Sequence, residues 1–287
     1  MSSSSFERIG LSEPAIPVVL SVPHAGRDYC VGLREALRVP LDRIVALEDR
    51  YVDHLAFGIG ETGAAGIVAK TPRAWIDLNR QENEVDPQMV VPSPVSAHIT
   101  QSLKVRGGLG LIPRRLAGVG DLWRDRVTAD DLAARIDEIH RPYHAALARM
   151  LAETRARFGV AVLVDLHSMP PVTGAAWPRP PRIVIGDRFG RSASSRFTTR
   201  LMNEVEGFNL TAAENSPYAG GYILDRHGVP EKGIHALQVE IDRSLYLKPD
   251  LRTLDEDAAV GMGDFVRRMI LALADEAFVA PHALAAE

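Results

Sequence analysis

The sequence predicts an α/β protein built on a mostly parallel sheet, and three observations carry that reading. Short β-branched and small apolar runs at 16–22, 66–70, 160–164 and 235–243 alternate with longer segments of helical apolar spacing. The run at 160–164 is apolar without interruption, as in a strand buried on both faces in the middle of a sheet. Several of these runs carry His, Asp or Glu at or near their ends, and the carboxyl edge of such a sheet is where open α/β folds bind ligands.

A chain of 287 residues is long enough for a large α/β core. We expect a disordered lead-in over 1–14 and a single α/β domain over 15–280. A net charge of −4 without any Lys/Arg tract argues against a nucleic-acid partner. No apolar stretch reaches the roughly 18 residues of a membrane span, so no membrane partner is expected. The opening Met-Ser-Ser-Ser-Ser-Phe-Glu lacks the charged and apolar regions of a signal peptide, which makes the cytoplasm the default location. Cys30 is the only cysteine, so an internal disulfide and a cysteine-rich metal site are excluded. Any metal must be held by His and carboxylates.

Residues 16–22 read as the first core strand, ending at Pro23-His24-Ala25-Gly26. His24 then sits on a tight turn where backbone can approach a ligand. Leu47, Tyr51, Leu55 and Ala56 fall at helical spacing, so a helix is expected from Leu47 to about Glu61. Glu48 and Asp49 lie in its first turn, as dipole partners or as carboxylates aimed at a metal. After a second strand at 66–70, residues 74–80 read as a short apolar strand bringing Asp77, Asn79 and Arg80 together beside Arg73. Arg forks carboxylates and Asn adds a directional amide, so Asn79-Arg80 suits an acidic substrate; a strand-end salt bridge is the plainer alternative.

Residues 86–121 are rich in Pro, Gly and Ser and lack periodicity, and we expect this long loop to cover the site. Its glycines are not followed by Gly-Lys-Ser/Thr, so no phosphate cradle is expected. Residues 128–157 carry the strongest helical pattern, with Thr128 as N-cap, Asp130 and Asp131 in the first turn, and a kink at Pro142. His140 and His144 stand one turn apart but lack the Glu of a His-Glu-x-x-His site, so they read as a helix face near the cleft.

The central strand delivers Asp165, His167 and Ser168 at its end. A strand-to-turn element at 182–190, a helix at 194–206, a short strand at 208–211 and a turn-rich loop at 215–222 follow. In 235–243, alternation puts Ala236, Gln238 and Glu240 on one face and Leu237, Val239 and Ile241 on the other. A Glu in the middle of a core strand is costly unless it is solvated, paired or functional. Residues 255–274 close the pattern as an amphipathic helix.

Strand ends and one helix turn thus offer His24, Glu48 or Asp49, Asn79-Arg80, His167 and Glu240. Two His and a carboxylate with an open fourth position form a catalytic zinc arrangement. A second carboxylate off the metal is what such a hydrolase needs to take a proton from water. Spacing alone does not bring these residues together. The blocks Ser21-Val-Pro-His-Ala-Gly, Asp49-x-Tyr-Val-Asp53, Ile76-Asp-Leu-Asn-Arg80, Asp165-Leu-His-Ser-Met169, Pro217-Tyr-Ala-Gly-Gly221 and Val239-Glu-Ile-Asp-Arg-Ser-Leu-Tyr246 resemble the N-formylglutamate amidohydrolase family, in family order.

That resemblance implies a phosphorylase/hydrolase-like three-layer αβα fold with a mixed, mostly parallel central sheet, as in zinc carboxypeptidases and aspartoacylases. It implies hydrolysis of the N-formyl amide of N-formyl-L-glutamate to formate and L-glutamate, with Zn2+ or another divalent transition metal such as Co2+. His24, Asp49 and His167 would be ligands, Glu240 the general base and Arg73 an oxyanion donor. Asn79 and Arg80 would hold the carboxylate of a small acidic N-acyl amino acid, with Ser168, Tyr218, Gly220 and Gly221 around it. Asp165 would stand behind His167. The peptidase relatives place the acidic ligand three residues after the first His, where this chain has Arg27. Family members often carry an acid where this chain has Leu47, so Glu48 remains a rival to Asp49. Three other readings stand beside this one. The same metal site would serve another N-acyl amino acid. A serine hydrolase would use Ser168 but lacks a Gly-x-Ser-x-Gly elbow. A non-catalytic binder of acidic small molecules would keep only Arg80.

Overall fold

The apolar runs become strands of one seven-stranded sheet in the computed structural model, which describes residues 4–94, 99–174, 177 and 179–279. The strands are β1 (Phe6–Gly10), β2 (Val18–Val22), β3 (Ala65–Ala69), β4 (Ala161–Met169), β5 (Ile183–Gly186), β6 (Ala212–Glu214) and β7 (Ile234–Asp242). Their spatial order is β1-β3-β2-β4-β7-β5-β6. β2 runs parallel to β3 and β4, β4 to β7, and β5 to β6, while β1–β3 and β5–β7 are antiparallel. The sheet is mixed and mostly parallel, as expected.

The helices that cover it are α1 (Ala129–Arg135), α2 (Arg141–Phe158), α3 (Ser195–Gly207), α4 (Tyr222–His227) and α5 (Glu256–Phe278). Strand alternation sorts the core into two layers. Val18, Leu20, Val162, Val164, Leu237 and Val239 pack against α3 and α5. Val19, Ile67, Leu163 and Ala236 pack against α2 and α4 on the opposite face. Thr128 caps α1 by accepting from Asp131 N, as its sequence suggests. The kink expected at Pro142 takes the form of a π-turn, Ile136–His140, immediately before α2; this wider turn accommodates a residue that can donate no helix hydrogen bond. Among the described residues, no helix is long and apolar enough to cross a membrane.

Several elements differ from expectation. Residues within the expected disordered lead-in form β1, paired antiparallel with β3 from Phe6↔Ala69 to Gly10↔Ala65; residues 1–3 of that lead-in and residue 280 lie outside the described residues. The helix expected from Leu47 to about Glu61 is broken into Val45–Leu47, Val52–Leu55 and Ile59–Thr62. Asp49 N donates to His24 O at 3.0 Å and Tyr51 adopts a left-handed φ of 60°, so tertiary contact bends the chain where periodicity favours helix. Residues 74–80 are consecutive turns rather than a strand, with Trp75 N bonded to Pro72 O and Asp77 N to Leu111 O. The strand expected at 208–211 begins later, at Ala212, because left-handed Asn209 still belongs to the turn that closes α3. Apart from residues 95–98, which lie outside the described residues, the 86–121 segment is anchored in a second apolar cluster, where Met89, Val90, Leu111 and Ile112 pack with Leu33, Ile44 and Trp123, although it does supply one wall of the cleft.

His235, near the start of β7, is buried, packs on the Phe197 ring at 4.7 Å between centroids and accepts from Ser194 N. Burial, with Arg196 nearby, lowers its pKa to about 4. Between that value and about 6.5 the unfolded chain takes up a proton that the folded chain refuses, so acid costs stability, about 2 kcal/mol at pH 5. His235→Asn keeps an acceptor for Ser194 and is expected to lose less Tm between pH 7 and pH 5 than the parent. Equal losses in both would place the acid sensitivity elsewhere.

Candidate metal centre

The alternation of β4 and β7 decides which groups meet. Asp165 and His167 point to the α2 face of the sheet, as do Gln238 and Glu240, and the parallel register sets Gln238 opposite Asp165 and Glu240 opposite His167. His24 arrives from the turn that ends β2. That turn is pressed so closely on the chain leaving β3 that a Cβ at Gly26 would lie 2.2 Å from Thr71 O. Both imidazoles are buried and each is held at Nε2 by a buried carboxylate. His24 Nε2 donates to Asp77 at 2.7 Å, and His167 Nε2 to Asp165 at 2.8 Å. Asp165 also accepts from Ser21 at 2.8 Å. These contacts turn both Nδ1 atoms towards Asp49, at 3.5 Å for His24 and 2.8 Å for His167.

One potential ligand atom from each of His24, Asp49 and His167 lies within 4.8 Å of the others. Among the described residues, His24 Nδ1 is fully buried without a hydrogen-bond partner. Such an orphaned atom is costly, and it faces a carboxylate and a second imidazole, a donor set suited to a divalent transition metal. Burial alone would raise the Asp49 carboxyl, but His167 and His24 overcome it and hold it well below the usual carboxylate range. Burial would likewise lower His167, yet Asp165 and Asp49 hold it well above the ordinary imidazole value. His167 thus keeps a proton between two carboxylates, which a cation at this position would replace.

Glu48 does not share the centre: its carboxylate accepts from the Tyr29 hydroxyl and from Arg50 at 3.0 Å. Arg243, which the sequence reading left without a role, holds the other oxygen of Asp49 at 3.1 Å and also reaches Glu48 O and Ser168 Oγ. Ser168 is therefore bonded to Arg243 rather than to His167, which removes the geometry a serine nucleophile needs. Asp77 accepts from His24, from Arg73 Nε at 2.8 Å and from Asn79 N at 2.9 Å, so one buried carboxylate joins the imidazole to the arginine wall. Arg80 donates Nε to Leu109 O and Nη1 to Asn79 O. The Asn79 amide is more engaged within the protein than expected: its oxygen accepts from Ile223 N at 2.9 Å. A Cβ at Gly221 would lie 2.4 Å from that oxygen, which explains the glycine there.

His140 and His144 support this wall, as a helix face near the cleft should. They donate to Arg80 O at 2.9 Å and Leu78 O at 3.0 Å. Glu240 is buried, accepts from Gln238 at 3.0 Å and is raised to about 7 by burial, against the lowering charge of His167. A carboxylate with that value can exchange protons near neutrality. The groups open onto a cleft of about 550 Å³, whose walls include Arg73, Arg80, Tyr218, Gly220 and Gly221. That volume suits a small-molecule ligand.

A family model described as N-formylglutamate amidohydrolase matches residues 16–247. The chain is 27% identical over 263 residues to an N-formylglutamate deformylase of Pseudomonas putida, covering 90% of this chain and 92% of the relative. It is 26% identical over 247 residues to one of Pseudomonas aeruginosa, covering 84% and 86%. Its structure resembles that of an N-formylglutamate amidohydrolase from Ralstonia eutropha JMP134, with a TM-score of 0.86 at 28% identity over 95% of this chain and 98% of the other. A gene product of Agrobacterium tumefaciens shares the fold, at a TM-score of 0.68 and 19% identity over 95% and 94% of the two chains.

Zinc or cobalt titrated calorimetrically in buffers of different ionisation enthalpy is expected to release about one proton near pH 7, with affinity falling as pH falls. Binding without proton release would contradict the protonated His167 bridge. Asp49→Asn should abolish binding, whereas Glu48→Gln should retain it; the reverse pattern would make Glu48 the ligand.

Proposed function

This chain belongs to the N-formylglutamate amidohydrolase family, and we propose that it uses a zinc ion at His24, Asp49 and His167 to cleave the N-formyl amide of N-formyl-L-glutamate to formate and L-glutamate. The observation that carries the reading is the meeting of two carboxylate-backed imidazoles on Asp49, with Glu240 opposite His167 in the strand register. When bound, a divalent ion of this kind supplies Lewis acidity, lowering the pKa of water and polarising an amide carbonyl.

The chain's own groups supply the rest. Asp77 and Asp165 fix the imidazole orientations, and Arg243 fixes Asp49. Glu240 takes a proton from the attacking water and returns it to the nitrogen of the leaving amine. Arg73 lines the cleft with, among the described residues, only its Nε engaged by Asp77, and its remaining nitrogens serve the oxyanion. Arg80 has Nη2 without a partner among the described residues and so available for a substrate carboxylate, with Tyr218, Gly220 and Gly221 also lining the cleft.

Purified protein should release formate from N-formyl-L-glutamate, lose that activity on chelation and regain it with zinc or cobalt. Metal bound without turnover would send the search to other N-acyl amino acids, and activity indifferent to chelation would end the metal reading. Glu240→Gln is expected to keep the metal and to lose about 10²–10⁴ in rate. Because Glu240 must be ionised to act and a nearby cation lowers its pKa further, the acid limb of kcat/KM should fall at or below pH 7, with activity lost as pH drops. Near-normal turnover in Glu240→Gln would remove this residue from the mechanism.

A further inference from the structure

The charged groups around the cleft are almost all matched. Arg73 bonds Asp77, Arg188 bonds Asp225, and Arg243 bonds Asp49. Arg80 lies 3.9 Å from Asp77 and donates to two backbone carbonyls. Lys104 is different. It lines the same cleft, and among the described residues its ammonium has neither an ion pair nor a hydrogen bond.

Its position is fixed by the fold. Lys104 belongs to the short helix Leu103–Arg106, capped by Ser102, whose hydroxyl donates to Glu84 at 2.8 Å. The other oxygen of Glu84 accepts from Gln81 N at 2.9 Å, so this acid is occupied by two donors of its own. Lys104 O accepts from Leu109 N at 2.8 Å, and Leu109 O accepts from Arg80 Nε at 3.0 Å. Two successive hydrogen bonds thus tie the backbone of Lys104 to the guanidinium of Arg80. Lys104 stands exposed at the rim of the cleft, and its ammonium pKa is lowered by partial desolvation and then by the charges of Arg80 and Arg73. A cation held against other cations, beside a cleft, gains most from an anion that enters with the ligand.

We infer that Lys104 is a specificity residue: it receives the second carboxylate of a dicarboxylic substrate whose first carboxylate is held by Arg80. This rests on the function proposed above and adds to it the reason for selecting glutamate over its neutral analogues. Arg188 also lines the cleft, but Asp225 already pairs with it. A lone ammonium instead takes part in a pair that exists only when the dicarboxylate is bound. The amide analogue would leave it unpaired.

The experiment compares N-formyl-L-glutamate with N-formyl-L-glutamine in the wild-type holoenzyme, Lys104→Gln and Lys104→Arg. The ratio of kcat/KM for acid over amide is expected to fall roughly 10- to 100-fold in Lys104→Gln, the value of one charged hydrogen-bonded pair. The loss should lie in KM rather than kcat, shrink with added salt and be partly restored in Lys104→Arg. An unchanged ratio, or an equal loss for both substrates, would overturn the inference, the latter meaning that Lys104 and Arg80 share one carboxylate. If the wild type hydrolyses neither substrate, the proposed function fails separately. Calorimetric binding of N-acetyl-L-glutamate and N-acetyl-L-glutamine still decides the role of Lys104: a preference for the acid that disappears in Lys104→Gln supports it, and no preference refutes it.

Discussion

Two imidazole–carboxylate contacts at the carboxyl edge of the sheet set the terms for the rest of the molecule. A buried imidazole held at Nε2 by a carboxylate has one free edge, and where that edge points is a matter of backbone placement. His24 is placed by a turn packed on the chain after β3, and His167 by its position on β4. Their carboxylates come from separate places, Asp165 on the same strand and Asp77 in a series of turns. The arrangement leaves Asp49 facing both rings, and Asp49 is in turn oriented by Arg243 from the end of β7. Removing any of these acids would leave a partner buried and unmatched, which is the costly case for interior charges.

The same chain of contacts links the candidate metal site to the arginine wall of the cleft. Asp77 touches His24 with one oxygen and Arg73 with the other, while its backbone-bonded neighbour Asn79 holds the entrance to α4. Behind this wall lie three buried imidazoles: His140 bonded to Arg80 O, His144 to Leu78 O, and His144 and His227 to each other. Burial lowers the pKa of all three. They therefore support the wall without adding charge to it near neutrality. The cations that line the cleft are instead Arg73, Arg80, Lys104, Arg188 and Arg243.

The parts legible in the sequence were those governed by local pattern. Apolar runs located β2, β3, β4 and β7, and a costly Glu on an otherwise apolar strand singled out Glu240. His24 and His167 stood out because polar groups at strand ends ask for a reason. β1 was missed because Phe-Glu-Arg-Ile-Gly is half polar, as suits an edge strand with one neighbour and partial exposure. The break in the helix around Glu48 and Asp49 was missed because its cause is a backbone bond to His24, a contact no window of local sequence contains. Arg243 and the double role of Asp77 were hidden for the same reason. Both act through partners distant in the chain, and only the Asp-Leu-Asn-Arg and Glu-Ile-Asp-Arg blocks hinted at them.

The parallel pairing of β2 with β4 joins Ser21 to Asp165 across 144 residues, and the centre draws on positions from His24 to Arg243. Sheets closed over such sequence separations form slowly, since large loops must be ordered before the contacts that reward them exist. No fragment ending before β7 contains Glu240 or Arg243, so an emerging polypeptide cannot assemble the complete pocket until most of these 287 residues have been made. Partly folded species would expose apolar strands before the candidate centre is complete. The residues of the candidate centre therefore come together only after β7 and Arg243 have been made.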